Sequence, residues 1–154
     1  AVSLTVRPAS PAPGSTSSHQ QMDPAPVQNA YAESHGYFPP KTGLLLNKWG
    51  KPIDFTNPDA YQWWQTNLKA YTDMGVEGYK LDYGEDVQVG AVGARNVWQF
   101  HDGSDERTMH HGYQLLYHQV HRELLPAEGG LLLCRTGRWG DPVPSLIIKL
   151  GRAS

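Results

Sequence analysis

The chain has 154 residues, about one domain's worth, and a net charge of -2 with a pI near 6.4. That balance gives no electrostatic case for nucleic acid or for an anionic membrane surface as a partner. No run approaches the roughly 20 apolar residues that span a bilayer. The single Cys134 excludes an internal disulfide framework and a cysteine zinc site.

Residues 1–21 contain Pro8, Pro11, Pro13, Gly14 and Ser15-Thr16-Ser17-Ser18, and are expected to stay disordered because they can bury little. They lack a basic start followed by an apolar stretch, so they do not read as a signal peptide. A folded unit is expected over residues 22–141 and an irregular tail over 142–154. The chain begins at Ala1 rather than at methionine, and is expected to be a piece of something longer.

Val27 to Ser34 reads as a short helix that stops at Gly36. Tyr37 to Lys51 reads as a loop punctuated by Pro39-Pro40, Gly43 and Gly50, with Leu44-Leu45-Leu46 a candidate short strand inside it. A clearer signal follows in Asp54-Phe55-Thr56-Asn57-Pro58. Asn57 is a favoured N-cap and Pro58 suits the first helical position. Tyr61, Trp64, Leu68 and Tyr71 then keep helical spacing until Gly75 ends the helix.

Gly78 to Asp82 reads as a strand that runs into the acidic loop Gly84-Glu85-Asp86. Residues two apart on a strand share a face, so Lys80 and Asp82 are expected on one side and Leu81 on the other. Val87 to Gly103 shows no sustained period and reads as a loop of active-site type. Ser104 and Asp105 precede a second long helix, Arg107 to Leu125, closed by Pro126 and Gly129-Gly130. Leu131 to Cys134 is wholly apolar, as expected of a strand buried on both faces, and leads into Arg135-Thr136-Gly137. Helix, strand, loop, helix, strand is the rhythm of an α/β fold around a parallel sheet, with chemistry at the carboxyl ends of the strands.

Asp82 leads the candidate residues. A cation such as Lys80 beside it holds a carboxylate ionised, which suits a nucleophile; a turn cap paired structurally with Lys80 fits the same spacing. Arg135, at the end of the second strand, has a donor fork suited to sugar hydroxyls or a carboxylate; a salt bridge to Glu85 fits equally. Trp49, Trp98 and Trp139 lie in loops where their ring faces suit stacking on a pyranose, whereas Trp64 reads as core. His110, His111, His118 and His121 share one helix. No carboxylate is spaced to complete a metal site with them, so a solvated helix face is expected. Cys134 reads as a buried strand residue.

Taken together, Asp54-Phe55-Thr56-Asn57-Pro58 with Trp63-Trp64, and then Gly78-Tyr79-Lys80-Leu81-Asp82-Tyr83-Gly84-Glu85, resemble glycoside hydrolase family 31. His110-His111-Gly112-Tyr113-Gln114-Leu115-Leu116-Tyr117 and Cys134-Arg135-Thr136-Gly137 continue the same order, so the resemblance runs roughly from Asp23 to Gly140. It implies a partial (β/α)8 TIM barrel, about strands 3 to 5 with the intervening helices. It also implies a retaining hydrolase of α-linked sugars that needs no cofactor or metal, with an oligosaccharide or α-glycoside as substrate. Asp82 then matches the nucleophile, and Lys80, Glu85, Arg135, Trp49 and Trp139 match substrate-binding positions.

A retaining enzyme also needs a protonated carboxyl about 5–5.5 Å from the nucleophile. In the resembling family that aspartate follows the arginine motif within a Trp-x-Gly-Asp-like segment. The corresponding stretch here, Gly151 and Arg152, holds no acid, and Trp139-Gly140-Asp141 comes too early. A truncated or frame-disrupted reading frame, inactive alone, is therefore expected. An α-galactosidase-type barrel and a non-catalytic carbohydrate-binding or vestigial product are the alternatives.

Overall fold

The computed structural model describes residues 2–4, 25–45, 50–81, 84–91, 93–128, 130–134 and 146–147. Its elements in chain order are β1 (Val2–Leu4), α1 (Ala25–Ser34), α2 (Pro58–Asp73), β2 (Gly78–Leu81), β3 (Gly90–Ala91), β4 (Ala94–Arg95), α3 (Glu106–Arg122), β5 (Leu131–Cys134) and β6 (Leu146–Ile147). One sheet has the order β1-β2-β5-β6, and β3 pairs with β4 as a separate antiparallel ribbon. β2, β5 and β6 run parallel, whereas β1 lies antiparallel on β2.

Both long helices start and stop on local chemistry. The Asn57 side chain accepts from the Asp59 amide at 3.0 Å, so α2 begins with a satisfied donor and Pro58 in its first turn. At its far end the Gly75 amide bonds the Thr72 carbonyl and the Val76 amide bonds the Tyr71 carbonyl, the paired bonds of a Schellman stop. That stop needs a left-handed residue, and Gly75 supplies it with φ +94°. Asp105 caps α3 by accepting from the Arg107 amide at 3.0 Å. The hydrogen bond from the Arg107 side chain holds the Asp105 carboxyl down at about 2, so the cap stays charged at neutral pH.

The core lies between the sheet and the pair α2 and α3. Tyr79 and Leu81 of β2 stand in register with Leu132 and Cys134 of β5, and all four are buried. The Tyr79 hydroxyl donates to the Leu68 carbonyl of α2, and its ring meets His121 of α3 edge-on at 5.4 Å, so this face looks toward the helices. Leu68 is buried beneath it, and Tyr61, Trp64 and Tyr71 pack on the core with part of their surface exposed. Burying a side chain the size of Leu68 contributes roughly 2 kcal/mol.

The other face of the sheet is different. Lys80 is exposed, its register partner Leu133 is half-buried, and Leu131 is 51% exposed. The expectation that β5 is buried on both faces is therefore corrected: α2 and α3 cover one side only, so alternate residues of an apolar strand remain open. Leu44 and Leu45 form no strand, and Leu46 lies outside the described residues. The chain there is held by Asn96, whose side-chain oxygen accepts from the Leu44 amide and whose amide group donates to the Leu44 carbonyl. Gly43 is required at this crossing, because a Cβ would run into the Asn96 and Trp98 side chains.

The histidines of α3 also depart from expectation. His118 and His121 are fully buried rather than solvated, because their face of the helix is the one that packs inward. His121 sits among Tyr79, Tyr117 and Trp64, and its Nδ1 lies 2.7 Å from the Tyr117 carbonyl. Burial pushes the His121 imidazole down to about 4. The unfolded chain thus takes up a proton below about pH 6.5 that the folded chain refuses until about pH 4, and stability falls with pH across that window. We expect a loss of roughly 3 kcal/mol between pH 7 and pH 4, read as a falling midpoint in thermal melts. His121→Leu should flatten that slope; an unchanged slope would assign the acid sensitivity to other groups.

Candidate active site

The strand order sets the geometry. α2 runs into β2 and α3 into β5, so both helices begin at the carboxyl end of the sheet and finish at its amino end. The carboxyl end is where barrel enzymes keep their chemistry. Of the residues expected there, Asp82, Arg135, Trp49 and Trp139 lie outside the described residues. Lys80 and Glu85 are described: Lys80 is exposed on the face away from the helices, and Glu85 is half-buried in the loop that leaves β2. The Gln88 side chain donates to the Glu85 carbonyl and so turns this loop back on itself.

Trp98 is not a platform for a sugar. It is 1% exposed, stacked on Phe100 with centroids 6.0 Å apart, and belongs to the core. A loop position says nothing about whether a ring is covered, and here the segment 41–45 lies across it. The stretch read as a loop also contains the β3–β4 ribbon, and Gln99 bridges to Lys41.

Three polar side chains that the sequence reading did not single out for the site hold these loops together. Asp54 is fully buried. One of its oxygens accepts from the Thr56 amide at 3.0 Å and the Thr56 hydroxyl at 2.6 Å, and the other accepts from the His101 amide at 2.8 Å. It thereby joins the start of α2 to the start of α3. Glu106 is likewise fully buried: Arg95 Nε lies 2.7 Å from Oε1, and the Trp98 amide lies 3.0 Å from Oε2. Burial alone pushes the Glu106 carboxyl up. The Trp98 amide and the Arg95 guanidinium outweigh that and hold it below the usual carboxylate range.

Asn96 is the third, through its two bonds to Leu44. The His110 ring lies 2.9 Å from the Val87 carbonyl, and the Tyr113 hydroxyl donates to the Ile53 carbonyl at 3.0 Å. These bonds tie the loops before α2 and α3 and the segment around Val87 into one collar. A signal for it was present in Asp54-Phe55-Thr56-Asn57-Pro58, but spacing alone does not reveal that Asp54 reaches residue 101. Among the described residues, no group of three His, Cys, Asp or Glu is placed to hold a metal ion.

Comparison with known proteins decides the family. The model of the glycosyl hydrolases family 31 TIM-barrel domain matches residues 12–141, well over half of the chain. The chain belongs to glycoside hydrolase family 31. Alpha-xylosidase XylQ of Lactiplantibacillus pentosus is 38% identical over 78 residues, and an alpha-xylosidase of Emericella nidulans is 37% identical over 78 residues. Each match covers 51% of this chain but only 9% of the relative's length.

Among solved structures, a family 31 sulfoquinovosidase from E. rectale in complex with an aza-sugar inhibitor superposes with a TM-score of 0.58 at 20% identity. The superposition covers 71% of this chain and 17% of that one. A cycloalternan-forming enzyme from Listeria monocytogenes in complex with a pentasaccharide substrate gives 0.61 at 21% identity, over 81% of this chain and 12% of the other. At those identities the likeness speaks for the fold, and the fold is that of the family 31 TIM barrel. Membership also sets aside the α-galactosidase-type barrel.

Proposed function

We propose that this chain supplies the nucleophile half of a retaining α-glycosidase site, built on about strands 3 to 5 of a (β/α)8 barrel. The observation that carries the reading is the open face of β2. Tyr79 and Leu81 are turned into the helix-packed core, while Lys80 stands exposed on the opposite side, the side that lines the interior of a closed barrel. Continuing the two-residue alternation puts Asp82 on the face of Lys80, at the strand's carboxyl end. A lysine there keeps the aspartate ionised and able to attack an anomeric carbon. Glu85, Arg135, Trp49 and Trp139 are its proposed partners in holding the sugar.

The acid that must protonate the leaving oxygen has no counterpart where the family's pattern calls for it, at Gly151 and Arg152. The 154-residue chain is therefore expected to be inactive on aryl α-glycosides and, with a sheet face open, to aggregate on concentration. Two of its curated relatives are alpha-xylosidases, so α-xylosides head the substrate panel. A 5-fluoro-α-xylosyl fluoride, followed by intact mass and peptide mapping, tests the pocket directly. Labelling at Asp82 supports an assembled nucleophile site. Labelling at another carboxylate, or robust hydrolysis of an aryl α-xyloside by the 154-residue chain, overturns the assignment.

A further inference from the structure

β2 has two neighbours, and only one of them runs in the direction a barrel requires. β5 is parallel to it. On the other edge Val2–Leu4 lies antiparallel, with Val2 opposite Leu81, Ser3 opposite Lys80 and Leu4 opposite Tyr79. In a (β/α)8 barrel every strand is parallel to both neighbours. The β2 edge is thus an open row of backbone donors and acceptors that takes an extended segment in either direction.

The segment that fills it is weakly tied. β1 has three residues, so few ladder bonds hold it. Residues 5–24 separate it from α1, and in sequence they include Pro8, Pro11, Pro13 and Pro24 together with Gly14 and four consecutive hydroxyl residues. Twenty residues reach as far as about 70 Å when extended, more than the width of a small domain. An identical segment on a second molecule offers the same edge the same register.

We propose that Val2–Leu4 is an exchangeable strand and that its second partner is another copy of this chain. Each copy lends its β1 to the β2 edge of the other, in a closed two-fold exchange. The tethered strand competes at an effective concentration on the order of millimolar, so exchange grows as the protein approaches that concentration. This inference does not depend on the glycosidase reading.

Cross-linking tests it. Two variants are mixed, Ser3→Cys with Cys134→Ala and Lys80→Cys with Cys134→Ala, and oxidised with glutathione disulfide. Residues directly opposite in an antiparallel pair have Cβ atoms about 5 Å apart, near enough for a disulfide after small adjustment. A 3-to-80 disulfide in this mixture joins two chains by construction. The expected result is that mixed dimer on a non-reducing gel, confirmed by the mass of the linked peptide, at about 1 mM and at least tenfold weaker at about 10 µM.

A chain carrying Ser3→Cys, Lys80→Cys and Cys134→Ala together serves as the control. If it closes its own disulfide while the mixture yields no 3-to-80 dimer at any concentration, the strand stays on its own molecule and exchange is overturned. If neither sample forms the 3-to-80 bond, Val2–Leu4 does not occupy the edge and the proposal falls as well.

Discussion

Asp82→Asn in a catalytic domain that completes the barrel is expected to lower turnover by roughly 10⁴-fold or more, the scale seen when a covalent nucleophile is removed. Asparagine has nearly the same shape, so the thermal midpoint should stay close to that of the unsubstituted protein. The loss follows from charge. In a retaining displacement the carboxylate forms a bond to the anomeric carbon, and a neutral amide cannot stabilise the positive charge that develops there. Lys80→Met makes a useful companion, because it removes the cation proposed to keep the Asp82 carboxyl ionised while leaving the carboxyl itself in place. A raised acid limb in its pH profile would accord with that role. Near-normal turnover by Asp82→Asn, with α-xylosides or any other α-glycoside that the domain hydrolyses, would show that the nucleophile lies elsewhere.

Among substitutions, the largest expected effect on stability comes from Glu106→Ala. Glu106 is fully buried and accepts from both the Trp98 amide and Arg95, so truncation leaves a buried N–H and a guanidinium without their acceptor. Breaking a fully buried pair costs about 3–5 kcal/mol. Arg95 is half exposed and also pairs with Asp105, so water and that second carboxylate recover part of the loss. A cost of about 2 kcal/mol remains, worth roughly 4–8 °C in the midpoint of a near-UV melt for a chain of this size. Glu106→Gln keeps an oxygen for one donor and should fall between the two. A Glu106→Ala chain melting within a degree of the parent would mean that the loop collar holds without this side chain.

These expectations differ in how far they were legible in the amino-acid order. α2 was readable to within a residue, because its signals are local: a cap at Asn57, a proline at its start, an apolar stripe and a left-handed stop at Gly75. α3 was legible at its start, which Ser104 and Asp105 precede, but it ends at Arg122 rather than at Leu125. β2 was legible through the contrast between Tyr79, Lys80 and Leu81, which records a two-sided environment directly. β5 was legible as a strand at Leu131–Cys134, but its one-sided burial was not, since four apolar residues carry no record of which face is covered. Trp98, His118 and His121 were misread for a related reason. Residue type suggests an exposed or solvated role for each, and only the packing of a distant segment or a neighbouring helix decides the matter.

The sequence by itself therefore determined the family, the order of α1, α2, β2, α3 and β5, and Lys80-Leu81-Asp82 as the motif on which the proposed chemistry rests. Those are properties of spacing within about twenty residues, where backbone geometry leaves few alternatives. Tertiary structure alone decided that Asp54 reaches His101, that Asn96 clasps Leu44, that Glu106 anchors Arg95 and Trp98, and that an antiparallel strand sits on the edge of β2. Each joins positions far apart in the chain, or satisfies a buried polar group that has no local partner. Such pairings are fixed by which surfaces meet when the core closes, and no local pattern of residues encodes that.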